Sequence, residues 1–343
     1  MHTNNALKIG PKNIYQVEST LREYGISGKI LYVSDSVVDK LYGHIVKPQI
    51  EAVGRIKEET VEHNTISYAM NVAEHVISTD VSCIVALGGG KVLDVCKYAA
   101  YICKCPLMSI PTTMANDGIA SPIAVLKRQD NKPKSLGCAM PTMLLLDTEL
   151  IMNSPIQLIK AGIGDIISNY MALLDWEYAC EQGKDTMNGY AYMMSRTSVD
   201  SLMKTQYDEI CPGFIGVLAN SLVLSGLAMD FTGSSRPVSG SEHLFSHALD
   251  YYLEKPNLHG IQVALGTVAT LKLVGLDYLP VLQYLKKFEV EINPVKLGID
   301  EKTFVLCMQE ATKMRKNRHT YLHDADTSEE MLKKVYRELV EEL

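Results

Sequence analysis

Three histidines and one aspartate carry the clearest chemistry in this chain. His243 and His247 stand four residues apart in Ser234-Ser235-Arg236-Pro237-Val238-Ser239-Gly240-Ser241-Glu242-His243-Leu244-Phe245-Ser246-His247, and His259 follows in Leu258-His259-Gly260. On a helix, residues i and i+4 share a face, so His243 and His247 can look into one cleft. Neutral imidazole is a common metal ligand, and a catalytic metal takes three protein donors with one position open. A pair of capping or buried histidines is the competing reading. Asp165, in Ala161-Gly162-Ile163-Gly164-Asp165-Ile166, is a lone carboxylate in a small and apolar segment. Burying it alone is costly, and a metal held by Asp165, His243 and His259 would relieve that. Otherwise it is a mid-helix residue facing water.

A second cluster lies earlier. The apolar run Cys83-Ile84-Val85-Ala86-Leu87 ends in Gly88-Gly89-Gly90, and Lys91-Val92-Leu93-Asp94 opens a helical pattern that runs to about Ile102. Strand, glycine turn and helix put bare backbone N–H groups and a positive helix end against a phosphate. The glycines admit close approach and positive φ. The string matches neither common nucleotide fingerprint, and a plain tight turn is the alternative. Pro106–Ile110 reads as another buried strand. It leads into Pro111-Thr112-Thr113-Met114-Ala115-Asn116-Asp117-Gly118-Ile119-Ala120-Ser121-Pro122. That loop falls where open α/β sheets bind ligands. Thr112 and Thr113 suit cofactor contacts, and Asp117 suits a substrate hydroxyl or a plain Asp-Gly turn. Asp35, after the strand Lys29–Val33, is placed to accept from an adenosine ribose or to cap a helix.

The elements that must position these residues divide into two textures. Strands are expected at 29–33, 83–87, 106–110 and 143–147, with a hairpin pairing 123–127 and 135–139. Residues 51–79 show weak helical periodicity. After Asn153-Ser154-Pro155 almost only helical patterns remain, with breaks near 181–187, 211–214, 231–242 and 254–258. The expected organisation is therefore an α/β nucleotide-binding domain over 1–152 followed by an all-α domain over 153–343. The chain has 343 residues, 47% hydrophobic and 21% charged, with net charge −7. That is globular composition, and with no basic cluster it argues against nucleic acid or anionic membrane as partner. No signal core and no apolar run of membrane-spanning length is evident, so a cytoplasmic protein with free thiols is expected.

Gly88-Gly89-Gly90-Lys91-x-x-Asp94-x-x-Lys97, Pro111-Thr112-Thr113…Asp117-Gly118-Ile119-Ala120-Ser121-Pro122, Ala161-Gly162-x-Gly164-Asp165, Ser234-Ser235-Arg236-Pro237-x-Ser239-Gly240-Ser241-Glu242-His243 and His259-Gly260 occur in family order. From about residue 8 to about 325 the chain resembles the glycerol-1-phosphate dehydrogenase branch of the iron-containing alcohol dehydrogenase superfamily, which includes glycerol dehydrogenase and dehydroquinate synthase. The resemblance implies a dehydroquinate synthase-like fold: an α/β N-terminal nucleotide-binding domain followed by an all-α metal-binding domain. It implies one divalent metal on Asp165, His243 and His259, usually zinc, although the donor set also admits iron or nickel. It implies NAD or NADP held by Gly88, Gly89, Gly90 and Lys91 with Asp94, Thr112 and Thr113. Asp35 favours NAD, since its charge would repel a 2′-phosphate. Asp117 and Ser121 would face nicotinamide and substrate, and His247 or Asp117 would carry the proton. Asn116 stands where many relatives have His, so no proton transfer is placed there. For a phosphorylated substrate Arg236 is the first phosphate candidate, or else a brace for its loop, and Lys134 the second. The expected substrate is a small polyol or polyol phosphate, most directly dihydroxyacetone phosphate and glycerol 1-phosphate. Unphosphorylated glycerol is the alternative. A cyclase is disfavoured by Asp165, where that branch resembles a Glu, and a non-enzymatic nucleotide-sensing module is separable by its lack of net NADH turnover. Apolar helical surface and the likeness point to a homo-oligomer, dimer or larger.

Overall fold

The computed structural model describes residues 6–343. Two compact units emerge. One comprises the described residues up to Met114, Gly118–Pro155 and Cys211–Ala219; the other comprises Ala115–Asp117, Ile156–Ile210 and Asn220–Leu343. Both short exchanges fall inside stretches the sequence reading kept whole.

In chain order the first unit runs β1 (Ala6–Gly10), α1 (Val17–Glu23), β2 (Gly28–Ser34), α2 (Ser36–Val38), a π-turn into α3 (His44–Glu51), β3 (Gly54–Thr60), α4 (Ile66–Thr79), β4 (Val81–Gly88), α5 (Gly90–Cys103), β5 (Leu107–Pro111), β6 (Ile123–Lys127), β7 (Pro133–Gly137), β8 (Met143–Asp147) and α6 (Thr148–Met152). Six strands form one parallel sheet in the order β1-β8-β5-β4-β2-β3. Its central strands are continuous apolar runs because both faces are covered: Cys83–Leu87 and Met143–Leu146 are buried throughout. The separate hairpin β6-β7 pairs Ile123 with Gly137 and Lys127 with Pro133, so its second arm lies two residues earlier than the expected 135–139.

The sequence reading missed β1 and β3, which are the two edges of the sheet. Residues 51–79 do not form one helical stretch. Gly54-Arg55-Ile56-Lys57-Glu58-Glu59-Thr60 pairs with β2 on one side only, and its alternating exposure leaves a charged outward face. Such charge blunts an open edge against further pairing, and it also erases the apolar signal of a strand.

The second unit contains α7 (Ile156–Glu181), α8 (Gly189–Met203), most of α9 (Pro212–Thr232), α10 (Ser241–Tyr252), α11 (His259–Leu273), α12 (Leu279–Lys287), α13 (Glu301–Glu310) and α14 (Glu329–Glu342). No strand occurs there among the described residues. One expectation needs correction. Helix α9 is long and apolar enough to cross a membrane by length and composition, with mean hydropathy 1.7, but 61% of that window is buried inside the protein. Its lack of charge reflects core packing. The eight cysteines are free thiols.

Two glycines set how closely α7 and α11 approach. A Cβ on Gly164 would sit 3.0 Å from the Gly260 carbonyl carbon, and a Cβ on Gly260 would sit 2.6 Å from the Ala161 carbonyl carbon. Real Cβ atoms do not come so near to backbone. The motifs Ala161-Gly162-x-Gly164-Asp165 and His259-Gly260 are therefore the two halves of one tight helix crossing, and each half carries a candidate ligand beside its glycine.

Candidate metal centre and cofactor site

Within the second unit, α7, α10 and α11 bring Asp165, His243 and His259 together. One donor atom from each lies within 4.8 Å of the others. His243 Nε2 is 3.1 Å from His259 Nε2, and His259 Nε2 is 3.6 Å from Asp165 Oδ1. A tetrahedral ion with bonds of about 2.1 Å separates its ligands by about 3.4 Å, so these spacings suit one small divalent ion. The chemistry of the donors agrees. Burial, then the neighbouring charge of Asp117, raises Asp165 well above the usual carboxylate range, a cost that a bound cation would relieve. Burial holds His243 and His259 down to about 3, which keeps both imidazoles neutral and able to ligate.

Each histidine is aimed from behind. His243 Nδ1 lies 2.8 Å from Glu242 Oε1. His259 Nδ1 lies 3.2 Å from Ser246 Oγ, which in turn is 2.7 Å from the Gln262 side chain. With Nδ1 protonated toward these partners, each Nε2 presents its lone pair to the metal position. The sequence reading missed Glu242, Ser246 and Gln262. The signal was present: Glu242 adjoins one ligand, and Ser246 and Gln262 each follow a ligand by three residues on the same helix.

His247 lies one turn along α10, its ring 6.3 Å from that of His243. Burial and both ligand histidines hold it far below its ordinary pKa. Asp117 joins the same unit. Its backbone N–H donates to Asp165 Oδ2 at 2.9 Å, and its Oδ2 accepts from the Ser225 hydroxyl at 2.8 Å.

Arg236 is 5% exposed. Its Nη2 donates to the carbonyls of Asp175 and His319, both at 2.9 Å, and its Nε pairs with Asp185 at 2.8 Å. Of the two roles open in the sequence, these contacts support the brace, although Nη1 and Nε have no hydrogen-bond partner among the described residues. Asp175 is a further anchor that the sequence did not announce. Its carboxylate accepts from the Ser241 N–H and hydroxyl and from the Tyr321 N–H, which ties the entry to α10 to residues far away in sequence.

In the first unit the remaining candidates gather at one end of the sheet. In register, Ser34 of β2 lies beside Leu87 of β4, and Gly88 of β4 lies beside Pro111 of β5. Asp35, Gly88–Gly90 and Thr112–Thr113 therefore leave the carboxyl ends of three adjacent parallel strands. The glycines serve space rather than unusual backbone. None of the three has positive φ. A Cβ on Gly88 would meet Val92 at 2.7 Å, one on Gly89 would meet Thr113 Oγ1 at 3.1 Å, and one on Gly90 would point into open space. Helix α5 starts with no side-chain cap and no acidic residue in its first turn, leaving its positive end available to a phosphate. Lys91 is exposed on that first turn.

Asp35 caps α2, with Oδ1 accepting from the Val37 and Val38 N–H groups at 3.0 and 3.1 Å. Asp94 pairs with the buried Lys97 at 3.1 Å. The Lys97 ammonium also donates to the carbonyls of Gly118, at 2.6 Å, and Ile123, so this pair pins the loop that contains the buried Ser121. Lys134, on β7, is exposed.

A doubly covered parallel sheet with a phosphate-sized glycine turn, followed by a helical unit with an Asp-His-His centre, defines the iron-containing alcohol dehydrogenase class. Residues 8–155 match the model of the iron-containing alcohol dehydrogenase family. The chain is 32% identical to glycerol-1-phosphate dehydrogenase [NAD(P)+] of Hyperthermus butylicus, over 96% of this chain and 95% of that one. It is 35% identical to the enzyme of the same name from Methanosphaera stadtmanae, over 93% and 94%. In fold it is similar to glycerol dehydrogenase from Schizosaccharomyces pombe, with TM-score 0.79 at 16% identity over 97% of this chain and 88% of that one. It is also similar to a probable glycerol dehydrogenase from Sinorhizobium meliloti, with TM-score 0.78 at 18% identity over 98% and 97%. The chain belongs to the NAD(P)-linked glycerol-1-phosphate dehydrogenase family of the iron-containing alcohol dehydrogenases.

Proposed function

We propose that the protein interconverts dihydroxyacetone phosphate and glycerol 1-phosphate, using NAD or NADP and one divalent metal, zinc in preference to iron or nickel. The observation that carries this reading is the convergence of Asp165, His243 and His259, with both imidazoles neutral and each aimed by a partner on Nδ1. The residue chemistry fits the metal, which when bound would supply Lewis acidity toward an alcohol or carbonyl oxygen, while the nicotinamide supplies or accepts hydride.

The chain's own residues then have distinct tasks. Gly88, Gly89 and Gly90, with the uncapped start of α5, receive the pyrophosphate, and Lys91, Thr112 and Thr113 add contacts beside it. Asp35 keeps one carboxylate oxygen on its cap and turns the other to the ribose, which favours NAD. Asp94 acts through Lys97 to hold the loop of Ser121. An imidazole nitrogen of His247, kept neutral at physiological pH, accepts the alcohol proton or returns it to the carbonyl. The Asp117 carboxylate, steadied by Ser225, orients a substrate hydroxyl or shares in that transfer.

The test is NADH oxidation by zinc-loaded protein with dihydroxyacetone phosphate and dihydroxyacetone side by side, each with and without chelator. A preference for the phosphate that disappears with chelator is expected. A preference for dihydroxyacetone would refute the phosphorylated substrate. A His259→Ala variant that retains full metal content would refute the ligand set independently of activity.

A further inference from the structure

With Arg236 committed to Asp185 and two carbonyls, the second unit still holds two arginines whose charge is not neutralised. Among the described residues no carboxylate lies within 4.0 Å of the guanidinium of Arg315 or Arg318. Arg315 Nη1 donates to Ser235 Oγ at 2.7 Å. Arg318 Nη2 donates to the same oxygen at 3.1 Å, and its Nη1 donates to the carbonyls of Ser235, at 3.1 Å, and Ser239. Two like charges thus meet on one serine, in the loop that enters α10 just ahead of His243. Arg318 is 8% exposed, while Arg315 remains half-buried and reachable.

Burying uncompensated cations side by side is unfavourable unless an anion joins them. Burial and the adjacent charges of Arg315 and Arg236 pull Arg318 down to about 9. Both arginines hold Ser235, and Arg318 also holds Ser239, in the loop that runs into α10 and His243, so the pair sits on the metal side of the unit. Glu242 and Asp185 are the carboxylates that bear on Arg318. Neither is within pairing distance, and Asp185 already serves Arg236. Three of the Arg318 donors are used by the loop, whereas Arg315 shows one bond, so its fork retains free donors.

We propose that Arg315, backed by Arg318 and Ser235, forms the phosphate subsite for the substrate whose oxygen is activated at the Asp165, His243 and His259 centre. This rests on the phosphorylated-substrate reading above. A guanidinium fork matches a phosphate in a way an ammonium does not. The subsite gives the enzyme a preference for the phosphorylated ketone, while Arg318 positions the loop.

The experiment compares zinc-loaded wild type, Arg315→Gln and Arg315→Lys. It measures kcat/KM for dihydroxyacetone phosphate and for dihydroxyacetone, with inorganic phosphate binding followed by calorimetry. Zinc content and thermal midpoint are recorded for each protein. In Arg315→Gln, kcat/KM for the phosphorylated substrate should fall by at least about 30-fold, the scale of a lost charge-assisted contact. The unphosphorylated substrate should change little and phosphate binding should weaken in parallel. Arg315→Lys, which keeps the charge and has the milder effect on folding, should recover part of the preference. If wild type prefers the phosphate and both variants keep the same ratio, the subsite is wrong while the function stands. If wild type shows no such preference, the proposed function fails, and the calorimetry decides the anion site alone: phosphate binding lost in Arg315→Gln retains it, and unchanged binding removes it.

Discussion

Replacing Gly260 by alanine adds one methyl group and should cost the protein its metal. That methyl would lie 2.6 Å from the Ala161 carbonyl carbon, with the carbonyl oxygen nearer still. Ordinary contact begins at 3.4 Å. Helices α7 and α11 must therefore separate by at least 3.4 − 2.6 = 0.8 Å, and both partners are backbone that cannot rotate away. Asp165 rides on α7 and His259 on α11, their donors 3.6 Å apart. Taken along the line between the donors, the same displacement opens that gap to about 4.4 Å, beyond the about 4.2 Å that two metal bonds of about 2.1 Å span in a straight line, so one ion could hold both only if a side chain also shifted. Zinc affinity should fall by at least about 100-fold, as for the loss of a ligand. Stability of the metal-free protein should change less. Overpacking costs about 1–3 kcal/mol, and alanine returns up to about 1 kcal/mol of helix propensity over glycine. The assay is zinc competition against a chromophoric chelator, with thermal melts of the apo protein. Gly216→Ala is the control, because a Cβ there meets nothing within 4 Å and should be neutral or stabilising. Wild-type zinc affinity in Gly260→Ala would refute the claim that the glycine pair sets the ligand geometry.

Three other outcomes follow from the same geometry. Glu242→Gln should weaken zinc binding by about 10–100-fold through misaligned His243, with the fold retained; equilibrium metal titration measures it. Arg236→Ala should lower stability by about 2 kcal/mol or more, since it strips a buried charge-assisted network. Within error it should leave the kcat/KM ratio of phosphorylated to unphosphorylated substrate unchanged, and a selective loss on the phosphate would restore it as a binding residue. Burial raises Asp250 to about 6, against about 3.9 in an unfolded chain. The folded state therefore holds that proton more tightly, and the contribution is present below about pH 4 and lost as pH rises through 6. Asp250→Asn should remove this slope, gaining about 1–2 kcal/mol over wild type at pH 8 and little at pH 4, as read from urea melts at both pH values.

What was legible in the sequence tracks what is local. Buried parallel strands such as Cys83–Leu87 and Met143–Leu146 appear as apolar runs because both of their faces are covered. The edge strand Gly54–Thr60 does not, because its solvent face is charged for the sake of solubility. The candidate ligands His243, His259 and Asp165 stood out through histidine spacing, a lone carboxylate and the family motifs, but the meaning of the small residues beside them did not. Gly164 and Gly260 are a packing requirement, visible only once Ala161 and Gly260 are seen face to face. Arg236 shows the opposite case. The sequence left its role open between phosphate ligand and brace, because its partners, Asp175, Asp185 and His319, are distant in sequence and close only in the fold.

The loop before α10 shows how far that non-local dependence reaches. Within Ser234-Ser235-Arg236-Pro237-Val238-Ser239-Gly240-Ser241-Glu242-His243 the ligand is one residue, and most of the others exist to hold it in place. Ser235 and Ser239 are gripped by Arg315 and Arg318, and Ser241 by Asp175. Glu242 accepts the Gly240 N–H at 2.7 Å while it orients His243. Gly240 is confined on both sides. A Cβ there would press on the Asp175 carboxylate and lie 3.0 Å from Glu242 Oε2. Burial raises both of these carboxyl groups, and the charge on Glu242 raises Asp175 further. Two buried acids around one glycine are tolerable only when backbone N–H groups and close side-chain donors satisfy them, here the N–H groups of Gly240, Ser241 and Tyr321 and the Ser241 hydroxyl. The glycine is what lets those N–H groups come close enough. His243 is thus held by a network closed through α7 and through the segment after α13. A substitution in either region, at Asp175 or Arg318, should disturb metal affinity although neither residue touches the ion.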